Sequence, residues 1–212
     1  MKSRIEKESS FWNSFSNKYD KFINNTVKKT YQQMYKLLKI DIANSDLVLE
    51  IATGTGLLSF EICKHVKQIE AIDIAQNMIE IAQKKQKEKN VSNINFGVGD
   101  SCNLRFADNS FDNIIASNVL HLLFEPEKSL SEIRRVLKPE GKAILPTFCH
   151  ADNFKSVIIS RFMSIFGFQA PNKWSTKSFQ AFVEENGFKV IKSEIIKGKI
   201  PLLYLLTEKS EC

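Results

Sequence analysis

Glycine, proline and long apolar runs are all scarce in this sequence. Its 212 residues include 8 Gly and 5 Pro, which excludes collagen-like chains and low-complexity linkers. The longest apolar runs, such as 200–206, fall far short of the roughly 20 residues that a membrane-spanning helix needs. The first ten residues contain no apolar segment of the kind found in secretory signals. We therefore expect one globular domain in the cytoplasm, with at most a short extension.

Cysteine is also rare, and its spacing excludes the common zinc motifs. The four cysteines are far apart and form no CxxC pair, so we expect reduced thiols and no metal site. These residues are Cys63, Cys102, Cys149 and Cys212.

Acidic residues are few at the N-terminus, which makes the charge distribution uneven. The chain carries a net charge of +6, and residues 1–40 hold nine basic and three acidic residues, which is the whole excess. The rest of the chain is neutral overall, and no RNA-binding module is appended, which argues against a nucleic-acid substrate. Any function of the positive charge therefore belongs to the N-terminal segment.

From about residue 46 onward, short β-rich apolar runs alternate with longer helical stretches. This alternation predicts an α/β fold in which helices cover both faces of a parallel sheet. We expect an N-terminal helical extension over 1–45 and a main domain over 46–212, with a substrate-side insertion at 151–187. The predicted strands are 47–51, 68–74, 94–98, 111–117, 142–148, 188–196 and 201–206, the last two as an antiparallel hairpin.

Two details of the fifth strand follow from its glycine and prolines. Residues 138–141 (KPEG) are predicted to form a turn before it. Pro146 cannot donate to a strand ladder, so we expect it near the end of this strand.

A glycine-containing turn, residues 50–56 (EIATGTG), follows the first strand and opens the first helix. Gly54 and Gly56 would let the backbone approach a ligand beside the positive end of that helix. The strict GxGxxG pattern fails because Ser59 stands at its third glycine position. Alone, the motif also fits a plain strand–helix turn.

Polar residues stand at the ends of three further strands. Asp73 ends the second strand, where a carboxylate can accept hydrogen bonds from both ribose hydroxyls of an adenosine. Asp100 ends the third strand, where it could meet an adenine amino group, and Ser117-Asn118 ends the fourth. In an open α/β sheet these strand ends converge on one crevice at the topological switch point. The pattern indicates a cofactor that contains adenosine.

Taken together, these residues resemble the class I S-adenosylmethionine-dependent methyltransferases, and within them the branch of the ubiquinone/menaquinone C-methyltransferases and many small-molecule enzymes. The matching stretches cover roughly residues 47–148 and read VLEIATGTG, IEAIDIAQNMIEIAQ, FGVGDSCNLRFADNSFDNIIASNVLHLL and EIRRVLKPEGKAIL. The resemblance implies a Rossmann-like, doubly wound, seven-stranded sheet of order 3-2-1-4-5-7-6 with strand 7 antiparallel. It also implies in-line methyl transfer from S-adenosylmethionine to a small molecule, with S-adenosylhomocysteine as product and no metal.

The resemblance further implies roles for individual residues. The turn after the first strand would hold the methionine part of the cofactor, Asp73 the ribose, and Asp100 the adenine edge. Ala52 departs from the glycine of many members, which bears only on cofactor affinity. The full implied cofactor set is Glu50, Ala52, Thr53, Gly54, Gly56, Asp73, Ile74, Met78, Asp100, Ser101 and Asn118. Tyr19, His150 and Trp174 are assigned to the substrate side or lid.

The histidines differ in what their positions predict. His121 follows the fourth strand and is the candidate catalytic residue, acting on the substrate or its proton; packing or a loop hydrogen bond is the alternative. His150 follows the fifth strand and is a weaker candidate of the same kind. His65, at the end of the first helix, is expected on the surface.

Two aromatic stretches leave alternatives open. Residues 11, 12, 15, 19 and 22 share one helical face, with lysines beside it, so the segment either closes over the cofactor or also contacts an anionic membrane through residues 11–29. In the second case a lipophilic acceptor, such as a quinone precursor or a phospholipid amine, would be reached from the bilayer. The other aromatics, Phe154, Phe162, Met163, Phe166, Phe168 and Trp174, form either a substrate pocket or a helix core face.

Two other functions compete with methyl transfer. A NAD-dependent oxidoreductase also needs a glycine turn and a ribose-binding acid, but the second acid, Asp100, and the lack of room for a substrate domain disfavour it. A non-catalytic cofactor-binding partner would have no need to keep the glycine turn and both acids.

Overall fold

Parallel strands and helices alternate from residue 45 onward in the computed structural model, which describes residues 3–42, 45–149, 170–198 and 200–211. The helices are α1 (Arg4–Thr26), α2 (Lys28–Asp41), α3 (Leu57–Ile62), α4 (Gln76–Lys89), α5 (Pro126–Val136) and α6 (Thr176–Glu185). The strands are β1 (Ser45–Ile51), β2 (Val66–Asp73), β3 (Ile94–Val98), β4 (Phe111–Ala116), β5 (Leu137–Ile144), β6 (Thr147–Phe148), β7 (Phe188–Ile196) and β8 (Leu202–Lys209).

The sheet runs in the order β3-β2-β1-β4-β5-β8, with β7 on the outer side of β8. The first five strands are parallel, and β8 is antiparallel to both β5 and β7. Short β6 also pairs with β8, along the same edge as β5. Since β7 and β8 are the sixth and seventh predicted strands, the predicted order and the antiparallel seventh strand are confirmed.

The predicted turn at 138–141 is wrong, because these residues belong to β5. Phe111 pairs with Leu137 and Asn113 pairs with Lys142, so β5 advances five residues where β4 advances two. The extra residues are absorbed as a bulge in the ladder. A Cβ on Gly141 would lie 2.9 Å from the carbonyl oxygen of Asp112, so glycine lets the two strands approach there.

The predicted fifth strand over 142–148 is also corrected, since it divides in two. Strand β5 ends at Ile144, and β6 begins after Pro146. Pro146 has no N–H to donate, and its carbonyl accepts the N–H of Asn118 at 2.7 Å. The proline therefore lies at a strand end, as expected.

Both faces of the sheet are buried because successive strand residues point to opposite sides. On one face, Leu49 and Ile114 pack with Ile133 of α5 and Phe179 of α6. On the other face, their strand neighbours pack with residues of α2 and α3; this cluster includes Val48, Ile115, Met34, Leu38 and Ile62. Two layers of helices therefore enclose the sheet, as the sequence predicts.

The N-terminal extension consists of two helices joined at Val27. Helix α1 begins with a capping box, in which the Ser3 hydroxyl accepts the N–H of Glu6 and the Glu6 carboxylate accepts the N–H of Ser3. Helix α2 packs on α3, whereas α1 contacts α4 at the carboxyl edge of the sheet. Of the helices in the described part of the chain, none has the length and hydropathy to cross a membrane.

Candidate cofactor site at the carboxyl edge of the sheet

The turn between β1 and α3 has a left-handed backbone at three positions. Gly54 has φ +56° and Gly56 has φ +79°, as suits residues without a Cβ. A Cβ on Gly56 would also lie 2.8 Å from the ring of Phe96. Ala52 has φ +57°, a conformation that costs an L-residue roughly 1–2 kcal/mol. A glycine at this position would relieve the strain, which the sequence did not reveal.

Asp73 holds this turn from the end of β2. One of its carboxylate oxygens accepts the N–H of Gly54 at 2.8 Å, and the other accepts the N–H of Ala75 at 2.8 Å. Burial raises the pKa of Asp73 to about 6, although these hydrogen bonds oppose the rise. Each oxygen of an ionised carboxylate can accept a second hydrogen bond. The carboxylate can therefore also accept two ribose hydroxyls.

Glu50 is the second buried carboxylate, 2% exposed at the end of β1. It accepts a hydrogen bond from the hydroxyl of Ser59, which also lies 3.2 Å from the hydroxyl of Thr53. Burial raises the pKa of Glu50 to about 8. Ser59, which breaks the glycine pattern, thus anchors this carboxylate. A cationic group in the crevice would favour the ionised form of Glu50.

Asp100 is engaged on both sides in the loop after β3. One oxygen accepts the N–H of Cys102 at 2.9 Å, and the other is paired with the guanidinium of Arg4. Arg4 also lies 3.1 Å from Glu125. Of the neighbouring predicted residues, Ser101 and Met78 are buried, and Ile74 is half-buried.

Asn118 follows β4 with φ +54°, a conformation that asparagine tolerates. Its side-chain oxygen accepts the N–H of Phe148 at 3.1 Å, and its nitrogen lies 3.4 Å from the hydroxyl of Tyr31. The Tyr19 hydroxyl is hydrogen-bonded to that of Tyr31, and burial raises the pKa of both. His121 follows on a buried 3₁₀ turn and is 4% exposed.

Helix α1 crosses the edge where these residues meet. A Cβ on Gly54 would lie 3.5 Å from the ring of Tyr19, so this ring covers the turn. The Asp20 carboxylate accepts the Thr55 hydroxyl at 2.5 Å and is paired with Lys85 of α4.

Polar side chains fix the rest of α1 in the same way. Asn13 accepts the N–H of Asn77 at 2.9 Å, and Glu8 accepts the N–H of Phe124 at 3.1 Å. Sequence reasoning singled out Tyr19 but missed Arg4, Glu8, Asn13 and Tyr31, because nothing local marks a residue whose partner is far away in the chain.

Of the remaining predicted residues, the structure describes Trp174 and His65. Trp174 stacks on Phe182 with ring centroids 4.6 Å apart, and also contacts Phe179, so it packs against α6. His150 and the aromatics at 154–168 lie outside the described residues. His65 is exposed, as predicted.

The donors and acceptors at this edge fit S-adenosylmethionine. Asp73 offers acceptors for a ribose, left-handed glycines let the backbone approach the ligand, and Glu50 lies buried beside them. Within the described ranges, no three His, Cys, Asp or Glu side chains are grouped so as to hold a metal ion.

Comparison with known proteins agrees with this geometry. Residues 49–145 match a family model described as a methyltransferase domain. The chain is 29% identical over 150 residues to a demethylmenaquinone methyltransferase of Renibacterium salmoninarum, covering 69% of this chain and 61% of that protein. It is 31% identical over 150 residues to a ubiquinone/menaquinone biosynthesis C-methyltransferase of Francisella tularensis, covering 68% and 60%.

The solved structures confirm the fold of this methyltransferase domain. The YcgJ protein of Bacillus subtilis superposes with a TM-score of 0.70 at 18% identity, covering 85% of this chain and all of that one. The family match and the curated relatives confirm the resemblance to class I S-adenosylmethionine-dependent methyltransferases, and S-adenosylmethionine is the cofactor expected of that family. The chain spans about three fifths of the length of the curated relatives it matches.

Proposed function

We propose that this protein transfers a methyl group from S-adenosylmethionine to a small-molecule acceptor. The observation that carries the proposal is the pairing of Asp73 with the N–H of Gly54. This hydrogen bond connects Asp73, whose carboxylate can bind a ribose, with the turn that can surround the methionine part of the cofactor. A buried carboxylate of raised pKa at such a crevice is typical of a functional site.

The chain's own residues divide the work of holding the cofactor. Asp73 accepts the ribose hydroxyls, and the backbone from Glu50 to Gly56 surrounds the methionine part. Asp100 and Ser101 face the adenine edge, with Ile74 and Met78 beside it. Asn118 holds the loop after β4 against β6, so that its backbone faces the methionine amino group.

When bound, S-adenosylmethionine supplies an electrophilic methyl group. The protein then has to hold the acceptor atom in line with that carbon, which contributes through orientation. Helix α1 excludes water by covering the turn with Tyr19. His121 is our candidate to take a proton from the acceptor, where the acceptor must lose one. In that case His121→Ala lowers turnover more than it lowers cofactor affinity.

A lipophilic aromatic acceptor is the finer version of this proposal. Relatives at 29% and 31% identity are named for methylation in menaquinone and ubiquinone biosynthesis. The aromatic face of α1 offers a route for such a molecule from a membrane surface, and a phospholipid amine is the other lipid candidate.

A methyl-transfer screen tests both levels of the proposal. The purified chain is incubated with methyl-labelled S-adenosylmethionine and separate quinone-precursor, phospholipid, amine and RNA fractions. We expect label in the quinone-precursor fraction, and clearly less of it at sub-saturating S-adenosylmethionine when Asp73→Asn replaces the wild type. Label in RNA alone would contradict the small-molecule proposal. A chain that binds NAD and reduces or oxidises a substrate would be an oxidoreductase, and one that binds S-adenosylhomocysteine without any transfer would be a non-catalytic partner.

A further inference from the structure

A cleft of about 540 Å³ opens between the N-terminal helices and α3, beside the cofactor site. This volume lies within the range of small-molecule pockets, roughly 300–1,000 Å³. Its wall on one side is the first turns of α3, which begin directly after Gly56. The residues that matter for its chemistry are Lys28, Tyr31, Tyr35, Lys36, Lys39 and Glu61.

The charge of the cleft is positive. Lys39 is paired with Glu61 at 2.8 Å, so these two charges balance. In the described part of the chain, no carboxylate lies within ion-pairing distance of Lys28 or Lys36. Two lysine charges therefore remain for a ligand, and both belong to the segment that carries the whole positive excess of the chain.

The aromatic residues connect this cleft to the cofactor site. The rings of Tyr31 and Tyr35 meet edge to face with centroids 5.8 Å apart. Tyr31 is 7% exposed, and its hydroxyl reaches the side chain of Asn118 at 3.4 Å. Asn118 stands at the end of β4, so Tyr31 extends from the cleft to a residue that we propose faces the methionine end of the cofactor.

We infer that this cleft binds the acceptor and that the acceptor is an aromatic molecule with an anionic group. Lys28 and Lys36 bind the anion at the mouth, and the rings of Tyr31 and Tyr35 pack against the aromatic part. The Tyr31 hydroxyl is hydrogen-bonded to that of Tyr19 and lies 3.4 Å from the side-chain nitrogen of Asn118, so Tyr31 links the cleft to the residues at the end of β4. That the bound molecule is the methyl acceptor rests on the proposed function. Its binding in the cleft does not.

Ligand-detected NMR and calorimetry test the cleft with simple probes. The full chain is titrated with benzoate, 4-hydroxybenzoate and 2-naphthoate, and with the neutral carboxamide of each. We expect at least one carboxylate to bind, about tenfold more tightly than its carboxamide, because pairing with the two exposed lysines together adds roughly that factor. Lys28→Gln with Lys36→Gln should remove this preference, and Tyr35→Ala, which removes a half-buried ring from the cleft, should weaken the binding of both probes of a pair.

A matched control separates the cleft from the general charge of the protein. Lys84→Gln with Lys87→Gln makes the same charge change on exposed positions of α4 and should leave the carboxylate preference intact. Loss of the preference in this control, equal binding of carboxylate and carboxamide, or no binding of any probe overturns the inference. Titration with S-adenosylhomocysteine is run on the same samples. If that ligand fails to bind, the proposed function fails, whereas its binding without any aromatic probe overturns the cleft alone.

Discussion

The Asp20 carboxylate accepts a hydrogen bond from the Thr55 hydroxyl at 2.5 Å and thereby ties helix α1 to the turn between β1 and α3. Lys85 of α4 is paired with the same carboxylate. One side chain of the N-terminal extension thus joins two elements of the proposed cofactor site. The role of α1 as a lid stays a prediction, and this contact gives it a direct test.

Asp20→Asn should loosen α1 without unfolding the domain, because it removes the charge that holds Lys85 and weakens the contact with Thr55. We expect faster amide hydrogen exchange in α1 and faster dissociation of S-adenosylhomocysteine, about tenfold for a lost charged contact. Exchange mass spectrometry and stopped-flow dissociation measure the two effects. Asn17→Ala, at an exposed position of the same helix, is the control. Unchanged exchange in Asp20→Asn would show that this contact does not hold the helix.

Ala52→Gly should stabilise the ligand-free protein. The left-handed φ of +57° strains alanine but not glycine, so we expect a gain of about 1 kcal/mol in the free energy of unfolding, or roughly 2–4 °C in Tm. Thermal unfolding followed by circular dichroism measures it. Ala181→Gly, on exposed helix α6, should instead lose about 1 kcal/mol through helix propensity. A loss in both variants would mean that Ala52 is not strained.

Glu50 should make the ligand-free protein less stable as pH rises. Its folded pKa of about 8 lies above the usual 4.5, so the folded chain binds more protons than the unfolded chain between these values. The free energy of unfolding then falls through that window, by up to about 1.4 kcal/mol per pH unit. Asp73, with a pKa of about 6 against 3.8, contributes with the same sign at lower pH.

Glu50→Gln isolates this contribution above the range in which Asp73 titrates. Between about pH 6.5 and about pH 8, urea unfolding should show a smaller loss of stability in Glu50→Gln than in the wild type. Glu140→Gln, at an exposed position, should lose as much as the wild type. If all three proteins lost the same free energy of unfolding over this pH range, the pKa of Glu50 would not be raised by burial as the structure indicates.

The aromatic face of α1 leads to a prediction about membranes. Phe11 stacks on Phe15 with centroids 5.5 Å apart and meets Trp12 edge to face at 5.0 Å; all three are half-buried, and Lys18 and Lys21 beside them are exposed. Co-sedimentation with vesicles should therefore require anionic lipid and weaken with salt, since each lysine near such a surface contributes roughly 1 kcal/mol. Neutral phosphatidylcholine vesicles are the control. Protein left in the supernatant with anionic vesicles at low salt would limit α1 to covering the crevice.

The local parts of this structure could be predicted from the sequence, and the long-range contacts could not. The strand–helix alternation placed the sheet, and the polar strand ends at Asp73 and Asn118 placed the crevice, because parallel strands present these ends at one edge. The KPEG segment at 138–141 was wrongly predicted to be a turn. Glycine and proline are typical of turns, but they also occur in strand bulges, and this segment belongs to the bulge in β5.

Strain and packing at the site were beyond sequence reasoning. A left-handed Ala52 leaves no local mark, because an alanine in a sequence ordinarily indicates a negative φ. The pairing of Arg4 with Asp100 joins residues 96 positions apart, and either charge alone reads as a solvated side chain. The cleft beside α3 likewise exists only once α2 has docked, so its lysines appeared in the sequence only as a basic N-terminal segment.

Calorimetric titration of the wild type and Asp73→Asn with S-adenosylhomocysteine tests the central claim most directly. Asparagine at position 73 keeps one of the two acceptor oxygens, so it loses the charge, one acceptor for a ribose hydroxyl and one of the two backbone hydrogen bonds. We expect the wild type to bind S-adenosylhomocysteine and not NAD, and Asp73→Asn to bind it at least about tenfold more weakly. The exposed control Asp108→Asn should bind like the wild type. Equal affinity in Asp73→Asn and wild type, or binding of NAD in place of S-adenosylhomocysteine, would contradict the account.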